Sequence, residues 1–349
     1  MVRMILVSVV PFVVGCIDGV PGDDLQVQET GCLGYQTEAM LVDDVGGMWL
    51  GCGSDEGLFY AEDPFFDDFY EVDGFDEYLV YDLEQAPDGR IYVAGGYWEG
   101  APILVSLAGA TIEEHLFYDP QTMPMGKTQN VALTSDGQVM VDSLTGGNIG
   151  YFDGNSWVEA YYWNEGSLTG SDVGYQMSDL VSFGDAFFAV GSVIASPPAV
   201  FFPSEKVGAT YHFEVVEITN DTRYGALEAL VVLGEDHLIA AGADNSYHDT
   251  TLWNCTSSCR DSSSWHEQSF AFEAGKYTAI HFADDGLHGI AVGELDPQAA
   301  GGFVILTSDG GNSWTHVAAQ FPGLTAAWAF DDGAYAVASG GGYFAIERP

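Results

Sequence analysis

Residues 62–77 hold eight carboxylates, Glu62, Asp63, Asp67, Asp68, Glu71, Asp73, Asp76 and Glu77, interleaved with the rings of Phe65, Phe66, Phe69, Tyr70 and Phe75. Grouped oxygens of this kind can hold a hard cation such as Ca²⁺ or dock a cationic partner. The EF-hand spacing is not met, because Phe69 stands where the first loop Asp is needed, five residues before Gly74. An outer strand with solvated acids and inward rings satisfies the same pattern. Calcium is the one cofactor this stretch suggests; otherwise the sequence calls for none.

Cysteine supplies the second candidate chemistry. Apart from Cys16, the chain has Cys32, Cys52, Cys255 and Cys259. Four cysteines allow three pairings. The segment Cys255-Thr-Ser-Ser-Cys259 closes a very short loop, which leaves Cys32 and Cys52 as the second disulfide. A zinc site from Cys255, Cys259 and either His248 or His266 lacks the second Cys pair of a typical structural site. The eight histidines are scattered, although His281 and His288 flank a predicted hairpin and could face each other. No Gly-x-Ser-x-Gly elbow, phosphate loop or His-Glu-x-x-His occurs, so no catalytic residue is assigned.

The 349 residues include 52 Asp or Glu against 8 Lys or Arg, a formal charge of −44. A phosphate backbone needs clustered cations, so nucleic acid is excluded as a partner. Hydrophobic residues at 47% and aromatics at 13% are far above the level of a disordered acidic tail. The charge therefore belongs on the outside of a folded body.

The N-terminus reads as an address. Arg3 precedes an apolar run from Met4 to Val14, long enough for a signal-peptide core and too short to span a bilayer. The run ends Val13-Val14-Gly15-Cys16, which resembles the lipobox of bacterial lipoproteins. That resemblance implies a signal peptide over 1–15, diacylglycerol on Cys16 and a membrane partner through the lipid. Ile17 in place of Asp resembles the outer-membrane sorting pattern, so the expected location is the bacterial cell envelope at the outer membrane. Residues 16–24, ending Gly-Asp-Asp, read as an acidic tether. An even number of remaining cysteines suits an oxidising compartment.

The elements that must position these residues repeat. Glycine-led strands begin at Gly47, Gly89, Gly137, Gly184, Gly234, Gly286 and Gly333, with intervals of 42, 48, 47, 50, 52 and 47 residues. Periods of 40–50 with several short strands per unit are the signature of β-propeller blades. The prediction is an all-β, seven-bladed β-propeller over residues 25–349, with six blades as the alternative. After Gly333 too little chain remains for a full blade. The alternating Leu25-Gln-Val-Gln-Glu29 is the expected fourth strand, closing the ring.

Thr307-Ser-Asp309-Gly-Gly311-Asn-Ser313-Trp314 closely resembles the Asp-box of BNR-type propellers, with looser versions ending at Trp157 and Trp265. In that family the box is structural, which gives Thr307, Asp309, Gly311, Ser313 and Trp314 structural roles. Sialidases of the same broad group hold a substrate carboxylate with three arginines. Beyond the signal segment this chain has only Arg90, Arg223, Arg260 and Arg348, and no matching motif.

The sequence therefore reads as a non-catalytic, lipid-anchored propeller that binds or scaffolds another cell-surface protein or a glycan. The alternative is an exported glycan-binding or glycan-hydrolysing propeller that uses acids in its central channel. Acids and aromatic platforms converging in the channel would favour the alternative. Acids spread over the rim would count against it, and a large apolar patch would mark a structural subunit.

Overall fold

The turns of the repeat close tight hairpins. Gly89 lies at φ +83°, and its N–H donates to the Ala86 carbonyl at 2.8 Å. Nothing lies within 4 Å of where its Cβ would stand, so the left-handed backbone, not crowding, requires glycine there. In this computed structural model the chain is described from Leu25 to Ile346, except residues 30–31, 33–36, 54–56, 64–67, 77, 98–101, 116–127, 144–148, 153–156, 164–174, 194–197, 208–209, 219–224, 245–249, 269, 271–274, 296–300, 318–320 and 340–341. The predicted signal peptide, Cys16 and the tether lie outside the described residues.

Strand β1 is Leu25–Glu29, and antiparallel four-stranded units follow it in chain order. The first contains β2 (Thr37–Val42), β3 (Met48–Cys52), β4 (Leu58–Ala61) and β5 (Tyr70–Glu71). The second contains β6 (Tyr78–Gln85), β7 (Ile91–Tyr97), β8 (Pro102–Ala108) and β9 (Thr111–Glu114). The third contains β10 (Thr128–Leu133), β11 (Val139–Ser143), β12 (Ile149–Phe152) and β13 (Trp157–Trp163). The fourth contains β14 (Tyr175–Phe183), β15 (Ala186–Val193), β16 (Pro198–Val207) and β17 (Thr210–Glu217). The fifth contains β18 (Gly225–Gly234), β19 (His237–Asp244), β20 (Thr250–Cys255) and β21 (His266–Gln268). The sixth contains β22 (Gly275–Phe282), β23 (Gly289–Leu295), β24 (Gly302–Thr307) and β25 (Thr315–His316).

The seventh unit has only β26 (Leu324–Ala329), β27 (Tyr335–Ser339) and β28 (Gly342–Ile346) from its own end of the chain. Strand β1 completes it, pairing antiparallel with β28 from Leu25↔Ile346 to Glu29↔Gly342. Each inner strand packs beside those of the units before and after it, and β26 meets β2, so the described strands form a closed ring of seven blades. One feature is additional to the repeat. The outer strands of the third and fourth blades pair in parallel, with Tyr161 opposite His212.

The core is divided accordingly. Buried apolar side chains of neighbouring sheets meet face to face, so the hydrophobic clusters form between blades. Phe187, Phe201 and Phe213 pack on Met140 of the preceding blade. Tyr277 and Phe303 pack on Ile239 and Leu252. Seven such clusters follow the ring, one at each junction.

Cys32 is bonded to Cys52, and Cys255 to Cys259. The first bond ties the segment after the closing strand to β3, and both sulfurs sit in the cluster between the seventh and first blades. A bridge closing a loop of this size contributes about 3 kcal/mol. Cys32→Ser combined with Cys52→Ser should lower the denaturant midpoint accordingly. An unchanged midpoint would show that β1 is held by its strand pairing alone.

Candidate functional site: the central channel

Each inner strand breaks register with its neighbour at the same height. The shifts fall at Thr37/Ala39, Val80/Asp82, Thr128/Val131, Met177/Asp179, Leu227/Ala229, Tyr277/Ala279 and Leu324/Ala326. These bulges turn extra residues toward the axis. The residues are polar: Glu38, Tyr81, Gln129 with Asn130, Ser178, Glu228, Thr278 and Thr325. They line an axial cavity of about 660 Å³. The bulge also brings the inner strand hard against the next one. A Cβ on Gly95 would lie 1.9 Å from the Leu79 carbonyl oxygen, and one on Gly293 would lie 2.0 Å from that of Lys276. The glycines late in the second strand of these repeats therefore follow from the bulge.

Polar groups at this tier latch one blade to the next. Asp82 accepts the N–H of Leu83 at 2.8 Å and that of Val131, in the third blade, at 2.7 Å. Asp179 accepts Leu180 N–H at 2.8 Å and Leu230 N–H, in the fifth blade, at 2.7 Å. Asn130 donates to the Ser178 carbonyl, Thr278 to that of Leu324, and Thr325 to that of Thr37. Between the fifth and sixth blades the link is ionic, with Lys276 Nζ 3.3 Å from Glu228 Oε1. Buried Asp142 holds Asn130 in place, accepting its backbone N–H at 2.8 Å and its side-chain amide at 2.9 Å.

A second tier lies three residues beyond the bulge residue on five of the inner strands. It brings Glu84, Val181, Val231, His281 and Trp328 to the cavity wall. His281 Nδ1 accepts the Ala329 N–H at 3.0 Å, and the ring stacks on Trp328 with centroids 3.7 Å apart. Burial lowers the His281 pKa to about 3, so the imidazole is neutral and its proton sits on Nε2. Burial, with the Asp179 carboxylate adding repulsion, raises Glu84 to about 8. The same desolvation takes Asp142 to about 7 and Asp179 to about 6, and holds Asp82 well above its ordinary value. The amides that bond these three only partly offset the burial.

The two ends of the channel therefore differ. Where the inner strands begin, Glu38, Glu228 and Glu294 gather around Lys276. Burial and then the Glu294 charge raise Glu38, and the Lys276 ammonium opposes them. Toward the other end, Val181, Val231, His281 and Trp328 share the wall with the Glu84 carboxyl, whose pKa is raised.

The residues singled out in the sequence mostly lie elsewhere. In 62–77, Glu62, Asp68, Glu71, Asp73 and Asp76 are exposed, Asp63 is half-buried, and Asp67 and Glu77 fall outside the described residues. Phe75 is buried, and Phe69 packs edge-on to Tyr343 at 5.7 Å. Among the described residues, no three His, Cys, Asp or Glu side chains are placed to share a metal ion. The Thr307–Trp314 segment forms a tight loop between β24 and β25. Asp309 accepts from Ser313 N and Oγ, Gly311 N–H donates to Thr307 Oγ1, and Trp314 Nε1 donates to the Gly311 carbonyl. Trp265 is fixed likewise, its Nε1 donating to the Cys259 carbonyl at 2.8 Å. His281 and His288 do not meet, since His288 Nδ1 pairs with Asp285 at 2.5 Å.

Sequence reasoning missed the channel residues. The signal available was the Asp-Leu pair at Asp82-Leu83 and Asp179-Leu180, at the same place in two blades. The glycines that mark the repeat stand at its second strands, whereas this signal lies on the inner strands. Acids and rings do converge in the channel, the arrangement expected of the glycan-active alternative. Among the described residues, the large exposed apolar side chains Val45, Tyr70, Ile112, Phe183 and Leu287 are dispersed over four blades.

No protein-family model matches the chain, and no curated protein does. Solved structures do match. Virginiamycin B lyase from Staphylococcus aureus superposes with a TM-score of 0.67 at 13% identity, over 93% of this chain and 99% of that one. YCF48 bound to D1 peptide gives 0.62 at 14% identity, over 94% and 98%. YCF48 from Cyanidioschyzon merolae gives 0.65 at 11%, over 93% and 99%. These are β-propellers. What the chain shares with them at such identities is the propeller fold, over nearly its whole described length.

Proposed function

We propose that this chain is a lipid-anchored, non-catalytic propeller of the bacterial outer membrane that holds a basic segment of another cell-surface protein. The observation that carries the reading is the acidic mouth, where Glu38, Glu228 and Glu294 face the cavity with Lys276 as the one cation among its lining residues. A net charge of −44 steers cationic partners toward it. That a propeller of similar outline has been solved with a bound peptide supports a protein ligand. Hydrolysis of a glycan needs two free carboxyls flanking the bond. Asp82, Asp142 and Asp179 are occupied by amides, and Glu84 is the one carboxyl at its tier. The Glu38, Glu228 and Glu294 carboxyls lie together at the mouth around Lys276, where they suit a cationic partner.

The test is recovery of the full chain from gently solubilised membranes of its native organism. A stoichiometric partner with a basic segment is expected, bound at least tenfold more weakly by Glu38→Gln combined with Glu294→Gln. Cys16→Ser should release the chain into the soluble fraction. A chain recovered alone, or a partner held equally well by the double variant, overturns the reading.

A further inference from the structure

Among the described residues, two polar groups in the second tier of the channel have no hydrogen-bond partner. His281 uses Nδ1 to accept from Ala329, which leaves Nε2–H as a donor with nothing bonded to it, and that nitrogen is not sealed in the core. The Glu84 carboxyl lines the same cavity and makes no hydrogen bond among the described residues. A donor fixed in its tautomer by a backbone amide and in its plane by the Trp328 ring is pre-organised, and its side chain lines the cavity. The same lining includes the apolar side chains of Val181, Val231, Phe282 and Trp328. The cavity, about 660 Å³, is large enough for a small ligand, and its lining sets these apolar side chains beside carboxylates, amides and hydroxyls.

The chemistry of the wall narrows the ligand. Nε2–H asks for an acceptor oxygen. An anionic acceptor is disfavoured by Asp82 and Asp179 beside the tier and by the field of the whole chain. A cation gains little there, because the imidazole presents an N–H and Glu84 carries its proton at neutral pH. A neutral hydroxyl can accept from His281 and also exchange a hydrogen bond with a carboxylic acid, while the C–H faces of a sugar ring suit apolar and aromatic walls. We infer that this tier is a binding subsite for a neutral sugar unit, with His281 and Glu84 as its hydrogen-bonding partners. It binds without transforming its ligand, and it goes beyond the protein-docking mouth, on which it does not depend.

The experiment is a neutral-oligosaccharide array covering common hexose and N-acetylhexosamine linkages, followed by calorimetric titration of the full chain with the best ligand. A neutral tripeptide amide serves as the comparison probe. Saturable one-to-one sugar binding is expected, weakened at least tenfold by His281→Phe, which keeps a ring against Trp328 but loses Nε2–H. Because that change also removes the acceptor for Ala329, Glu84→Leu is the second variant. It breaks no hydrogen bond among the described residues and should weaken binding by a similar factor with the thermal melt preserved. No binding on the array, binding indifferent to both variants, or binding of the peptide amide in place of any sugar overturns the inference. Glu38→Gln with Glu294→Gln should leave sugar binding intact, which separates failure here from failure of the protein-docking reading.

Discussion

Between pH 6.5 and 8.5 the folded chain should lose about 2 kcal/mol of stability, a loss that Glu84→Gln should largely remove. The sign follows from linkage. Glu84 titrates near 4.5 in the unfolded chain and is raised to about 8 in the fold. Over the interval between these values the native state binds the extra proton, so stability falls as pH rises through it. The portion above pH 6.5 is about 1.5 units, at about 1.36 kcal/mol per unit. Asp142, raised to about 7, adds in the same direction at the start of the window.

Histidine does not confuse this window. His281 is held neutral with a pKa near 3, so its contribution grows with pH only up to the ordinary value of 6.5 and is constant above it. The turn carboxylates Asp88, Asp136, Asp285 and Asp309 are lowered by their hydrogen bonds. Their contribution is complete above about pH 4 and is lost only on further acidification. Denaturant unfolding at half-unit pH steps reads the profile directly. Stability that is flat or rising from 6.5 to 8.5 would mean that Glu84 is solvated in the channel. Since Glu84 has no hydrogen bond among the described residues, Gln should fit there without loss of structure.

Deleting residues 25–29 should lower the melting temperature by about 10 °C and cause self-association. Strand β1 pairs along all five of its residues with β28 and is the outer strand of the seventh blade. Losing that ladder removes several hydrogen bonds, each contributing about 1 kcal/mol net. A domain of this size loses a few degrees per kcal/mol. The deletion also bares β28, an edge open to pairing with another chain. Calorimetry and light scattering on the truncated protein would measure both effects. A monomer with an unchanged melt would mean that the ring is held by its seven inter-blade clusters without the closing strand.

Much of the architecture was legible in the sequence because it is written locally. A hairpin that needs positive φ takes glycine wherever it occurs, so Gly89, Gly137, Gly286 and Gly333 mark the period whatever surrounds them. Alternation in Leu25–Glu29, set against a seventh unit short of chain, pointed to the closing strand, and the four-residue spacing of Cys255 and Cys259 pointed to their bond. The acidic stretch was legible as a pattern but ambiguous as chemistry. An outer strand bathed in water and a cation loop select the same residue types.

The channel was decided by tertiary structure alone. Asp82 meets Val131 across 49 residues and Asp179 meets Leu230 across 51, and the seven bulges converge only because the ring closes. The free donor on His281 exists because a backbone amide from the next blade occupies its other nitrogen. The raised pKa of Glu84 exists because the neighbouring inner strands remove water from it. Glycine and alternation act over a few residues and can be read along the chain. Desolvation and inter-blade hydrogen bonds are properties of what surrounds a group, and that is fixed only when the ring has formed.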